Sequence, residues 1–174
     1  MSQLPDTLER DSHIDLHRRN VEPWVRLAIL LVFLGISAAG LANVFGQKTS
    51  QTSAGSDAAE LEINAPSAAR GGLIYQVRFR VLAHRDLAEP ALVLSDGWFE
   101  GLTINTLEPD PDRWEQRDGV NILVYPSVAE GEMLVARLQY QVNPTALGRR
   151  DQDVTLEDGG VQLLSADHSM TIFP

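Results

Sequence analysis

Residues 27–45 read LAILLVFLGISAAGLANVF, and no charged side chain interrupts them. A helix needs roughly 20 apolar residues to cross a hydrocarbon core of about 30 Å, and soluble domains rarely carry such a run without polar relief. With its flanks, the run predicts a transmembrane helix over residues 24–46. Trp24 stands at its start and Phe45 near its end, where interfacial aromatics belong. Arg26 lies just outside the run and can snorkel its guanidinium to the headgroups. These three residues are the expected membrane anchor, and the lipid bilayer is the first expected partner. The rival is a cleaved signal peptide, for which Gly40-Leu41-Ala42 is a passable cleavage site. Against cleavage, 26 residues precede the run, which is also longer than the roughly 7–15 residues usual for a signal core. We therefore expect an uncleaved anchor.

Flanking basic residues set the orientation. Arg10, Arg18, Arg19 and Arg26 lie on the leading side, whereas Lys48 is alone on the trailing side before Arg70. The positive-inside rule then places the N-terminus in the cytoplasm and the C-terminal part outside. Small residues four apart, Gly35 with Ala39 and Ala38 with Ala42 and Gly46, offer a face for weak homodimer formation through the membrane helix. Residues 1–23 read as a short charged cytoplasmic tail. Residues 47–60 are dominated by Ser, Thr, Gly, Gln and Ala and read as a flexible linker with a reach of about 20 Å.

Beyond the linker the period changes to two. Leu73, Tyr75, Val77, Phe79 and Val81 alternate with Ile74, Gln76, Arg78 and Arg80, as in a strand with one buried face. Shorter apolar or β-branched runs follow at 91–95, 102–107, 120–125, 133–142 and 170–173, with a further one at 61–64. Residues 153–156 and 161–164 flank Glu157-Asp158-Gly159-Gly160, a strong hairpin signal. The fold class is thus mainly β: one N-terminal transmembrane helix and, over residues 61–174, an antiparallel immunoglobulin-like β-sandwich of about seven strands.

Several details carry a resemblance. A long first strand precedes a loop at Asp86-Leu87, Val128-Ala129-Glu130-Gly131-Glu132 leads into the long 133–142 run, and Asn143-Pro144-Thr145 with Gly148 opens the next turn. In this order the chain resembles bacterial single-pass membrane proteins that display an extracytoplasmic immunoglobulin-like or fibronectin-III-like β-sandwich. The resemblance implies a fold and a location but no activity. The chain has 0 cysteines, so it lacks the disulfide of true immunoglobulin domains. It also lacks an Asn-x-Ser/Thr acceptor, since Pro144 follows Asn143. Both absences fit a bacterial cytoplasmic membrane better than a eukaryotic cell surface.

Composition and motifs narrow the chemistry. A net charge of −10 speaks against nucleic acid, which needs a concentrated positive patch. The absence of cysteine removes thiolate metal sites and cysteine nucleophiles. His84-Arg85-Asp86-Leu87 copies the start of a kinase catalytic loop, but Ala91 stands where a metal-binding Asn belongs. His13 and His17 have helical ligand spacing without the Glu of a zinc protease. The carboxylate-rich stretch 108–119 departs from calcium-loop spacing and reads as a polar loop. We therefore expect no enzyme activity, no catalytic residue, no resident metal and no cofactor. Trp98 and Phe99 are adjacent, so in an extended segment they point to opposite faces, one of them into the core. With Trp114 they are the candidate partner-binding residues, because exposed loop aromatics anchor partners. The expected role is a membrane-anchored accessory protein that binds another envelope or polytopic membrane protein. The alternative is a ligand-binding or sensor module for an ion or cell-wall glycan.

Overall fold

The computed structural model describes residues 22–42, 48–117 and 119–174. The chain forms two compact units, residues 1–44 and 45–174. In the first, α1 runs Glu22–Leu41, a length of about 30 Å at 1.5 Å per residue. Its stretch Pro23–Leu41 is long and apolar enough to cross a membrane, a property that signal sequences share. Trp24 is exposed near its start. The tail before residue 22, the segment 43–47 and with it the expected anchor Phe45 lie outside the described residues.

Among its described residues the second unit holds twelve strands: β1 Lys48–Gly55, β2 Ala59–Arg70, β3 Ile74–Ala83, β4 Pro90–Leu94, β5 Leu102–Glu108, β6 Arg113–Arg117, β7 Val120–Val124, β8 Met133–Val142, β9 Gly148–Asp151, β10 Val154–Asp158, β11 Val161–Ala166 and β12 Ser169–Phe173. They form a larger sheet in the order β5-β8-β3-β2-β12-β9, with β1 also on β2, and a smaller one in the order β11-β10-β4-β7-β6. The expected sandwich is present. Its pairings are antiparallel except one, since β12 runs parallel to β2 from Thr171↔Ala68 to Phe173↔Arg70. Pro66 explains the change of partner. Pairing of β2 with β3 ends at Asn64↔Arg78, just before a residue with no N–H to continue a ladder.

The period-two pattern is realised in β3, whose Tyr75, Val77, Phe79, Val81 and Ala83 are all buried. Leu73 falls outside the strand and is exposed. From the smaller sheet, Leu92, Leu94, Leu123, Val154 and Leu156 meet them in one core. The hairpin between β10 and β11 turns at Gly159 and Gly160, both at positive φ, the geometry a two-residue hairpin turn demands.

Two expectations are corrected. Residues 47–60 were expected to be a flexible linker, but Lys48–Gly55 is β1, paired with β2 from Lys48↔Ala68 to Gly55↔Glu60. Ala59 is already core. Backbone hydrogen bonds to a neighbouring edge hold β1, and composition does not register that force. The stretch 108–119 is likewise not all loop, because Arg113–Arg117 pairs antiparallel with β7. With β1, β6 and β9 added, the strand count exceeds seven.

Among the described residues, one histidine is buried. His168 is buried, stacks on Trp98 with centroids 6.0 Å apart, and faces the Pro66 carbonyl through Nε2 at 3.3 Å. Burial holds its pKa below the usual histidine value, against the pull of that carbonyl. The unfolded chain takes up this proton near pH 6.5 whereas the folded chain resists it, so His168 favours folding above about pH 6.5 and less so as pH falls. Asp153 is shifted upward, mainly by burial and then by Asp167 and Asp151; its effect has the opposite sign and enters at lower pH. Thermal melts should therefore show lower stability at about pH 5.5 than at about pH 7.5, by at most about 1.4 kcal/mol per pH unit. His168→Gln should remove that slope, and an unchanged slope would contradict the assignment.

Candidate interaction surface

The three aromatic residues expected to meet a partner have different fates. Trp98 is corrected outright: it is 0% exposed. Asp96-Gly97-Trp98 is a 3-10 turn that drives the indole into the core. There the ring meets Phe79 edge-on at 5.3 Å and Tyr140 at 6.1 Å, while Nε1 donates to the Asp153 carbonyl at 3.2 Å. The turn lies close against β9, for a Cβ on Gly97 would collide with the Asp151 carbonyl. Gln152 Nε2 also donates to the Gly97 carbonyl at 3.2 Å. Trp98 is thus a keystone of packing and is not available to a partner.

Phe99 and Trp114 come together instead. Phe99 follows the turn and is half-buried. Trp114 projects from β6, an edge strand, and its ring lies 6.3 Å from Phe99 at 45°. The Trp114 Nε1 donates to Asn121 Oδ1 at 3.0 Å, yet the residue remains 48% exposed. An indole fixed by one hydrogen bond and one aromatic neighbour presents a pre-ordered apolar surface at little further entropic cost.

Strand alternation sends the neighbours of Trp114 to the other face of β6. Arg113 pairs there with Glu89 at 2.9 Å and with Glu115, and Arg117 pairs with Glu115 at 3.1 Å. The bond to Glu89, then Glu115, raises the pKa of Arg113. These charges border a shallow hollow floored by Ala91, Ile122 and Val124. Exposed ion pairs add little stability, but they fix charge of known sign around an apolar floor.

The motifs weighed for catalysis and metal binding have structural settings. The Asp86 carboxylate accepts the Glu130 N–H at 2.9 Å, and Leu87 bridges to Val128. The kinase-like tetrapeptide is therefore a loop-to-loop brace. His84 Nδ1 lies 3.3 Å from the Ser56 carbonyl. Among the described residues, no three His, Asp or Glu side chains are grouped to hold a metal ion. Sequence reasoning missed Asn121, which orients Trp114, because a cross-strand neighbour follows from register rather than from sequence distance.

No protein-family description matches the chain, and no curated protein matches it. Among solved structures it is similar to CaCohA2 from Clostridium acetobutylicum, with 11% identity over 60% of this chain and 84% of that one and a TM-score of 0.43. It is also similar to a non-cellulosomal cohesin from the archaeon Archaeoglobus fulgidus, with 12% identity over 73% and 92% and a TM-score of 0.35. A third is the alkylpurine DNA glycosylase AlkC of Pseudomonas fluorescens bound to abasic-site DNA, with 13% identity over 61% and 28% and a TM-score of 0.32. Likenesses this distant carry neither partner nor activity to this chain.

Proposed function

We propose that the chain is a non-enzymatic interaction protein. In this reading α1 anchors it in a bacterial cytoplasmic membrane, and its β-sandwich, outside, holds another envelope or polytopic membrane protein. The observation that carries the binding role is the Trp114–Phe99 pair: a half-exposed indole held in place at a sheet edge by a hydrogen bond and an aromatic neighbour. Such pre-ordered aromatics dominate protein interfaces. The apolar span and the excess of arginine before it support the anchor and its orientation. Confinement to one membrane raises the effective concentration of a neighbouring partner, so a modest contact suffices.

The test is a photo-crosslinking amino acid at Gln116, which is exposed beside Trp114 on β6, used in native membranes. A discrete heavier adduct is expected, and adding Trp114→Ala should reduce it at least about tenfold, as loss of a hot-spot tryptophan does. The same variant should lower the stability of the domain by less than about 1 kcal/mol. Recovery of monomer alone, or an adduct indifferent to Trp114, would contradict the proposal.

A further inference from the structure

The outer face of the larger sheet sets two arginines side by side in a domain that is acidic as a whole. Residues 48–174 hold 10 Lys and Arg against 19 Asp and Glu, so arginines on this surface have abundant carboxylates to pair with. Yet Arg78 of β3 and Arg137 of β8 are direct cross-strand partners, which places their Cβ atoms about 5 Å apart. Both point outward, since Val77, Phe79, Ala136 and Leu138 between them point into the core. Neither forms an ion pair among the described residues. Arg78 Nε is closed off from solvent and has no hydrogen-bond partner.

The carboxylates of the face do not relieve this pair. Glu62 is committed to Arg80 at 3.4 Å. Glu108 lies opposite Arg137 on its other side but forms no ion pair with it. The next row outward pairs Gln76 with Gln139, two amides able to donate and accept. Like charges set directly opposite each other oppose folding, and an unmet buried donor adds to the cost. What the arrangement offers in return is two guanidiniums on neighbouring strands, each a planar fork of the kind that grips a carboxylate through paired hydrogen bonds.

We propose that the Arg78–Arg137 row binds an acidic segment of the partner protein, with an Asp or Glu side chain seated between the two guanidiniums and the Gln76 and Gln139 amides beside it. Charge complementarity selects this occupant: neither guanidinium forms an ion pair with Glu62 or Glu108, and the Gln76 and Gln139 amides lie in the next row. The inference rests on the reading that the domain binds a protein, but it uses a different face from Trp114.

The test uses the full chain in phosphatidylcholine nanodiscs and a fluorescent deca-glutamate peptide, with binding read by anisotropy. Binding is expected at low salt and should weaken as salt rises. Arg78→Gln with Arg137→Gln should weaken it at least about tenfold. Arg70→Gln with Arg85→Gln, which removes the same charge elsewhere, should change it by less than about twofold. The first double variant should melt at or above the temperature of the parent, because it removes a like-charge pair. If it does not fold, Arg137→Gln alone, at an exposed position, should still weaken binding severalfold. Trp114→Ala should leave peptide binding unchanged, so loss of the Gln116 crosslink and loss of peptide binding report separately on the two surfaces. Absence of peptide binding, or equal losses in the two double variants, would overturn the proposal. So would binding to phosphatidylglycerol vesicles in place of the peptide, which would assign the row to a lipid surface.

Discussion

Trp98→Ala is expected to remove about 3–5 kcal/mol from the stability of the β-sandwich, the usual cost of deleting a buried indole. The side chain is fully buried within the hydrophobic core. Its loss opens a cavity between Phe79, Tyr140 and His168, and it leaves the Asp153 carbonyl without the indole N–H. Domains of this size hold only about 5–15 kcal/mol in all, so the change approaches the whole margin. The melting temperature should fall by roughly 10–20 °C. Trp114→Ala, made for comparison, should shift it by only a few degrees. Thermal and urea melts followed by circular dichroism decide the matter. A Trp98→Ala variant that melts within a few degrees of the parent, with Trp114→Ala the more damaging, would reverse the roles assigned here.

The contrast between the two tryptophans shows where sequence reading stops. Alternation made β3 legible because one face of that strand is wholly apolar. The β10–β11 hairpin was legible because Gly159-Gly160 supplies positive φ at the turn. Neither signal exists for β1, whose Thr, Ser, Gln, Ala and Gly bury almost nothing and are held through the backbone of β2. In an extended segment, adjacent Trp98 and Phe99 point to opposite faces. The 3-10 turn at Asp96–Trp98 follows from the close approach of Gly97 to β9, a tertiary contact. The Arg78–Arg137 pair is equally hidden. Those residues lie far apart in the chain, and only the β3–β8 register sets one against the other. Of the surface expected to meet a partner, Phe99 and Trp114 remain, while Trp98 belongs to the core.

The second large effect concerns the span. Leu31 and Leu34 lie in the middle of Pro23–Leu41, and a charged residue at the centre of a membrane helix costs about 2.5–3.5 kcal/mol for insertion. Leu31→Arg with Leu34→Arg should therefore move the chain from the membrane fraction to the soluble or degraded fraction, while either substitution alone leaves part of it inserted. Retention of the double variant in carbonate-washed membranes would mean that something other than this helix holds the protein there.

The central claim is that an uncleaved helix displays the β-sandwich on the outer side of the membrane, and the chain is well suited to a direct test because it has 0 cysteines. Single cysteines at Ser12 and at Ser127, the latter exposed on the β-sandwich, can be probed with a membrane-impermeant maleimide in right-side-out vesicles. The account predicts labelling of Ser127→Cys in sealed vesicles, labelling of Ser12→Cys only after lysis, and both labels on a chain of the full 19.1 kDa. Labelling of Ser12→Cys from outside, protection of Ser127→Cys until lysis, or a Ser127→Cys label on a chain shortened by its first 42 residues would contradict it.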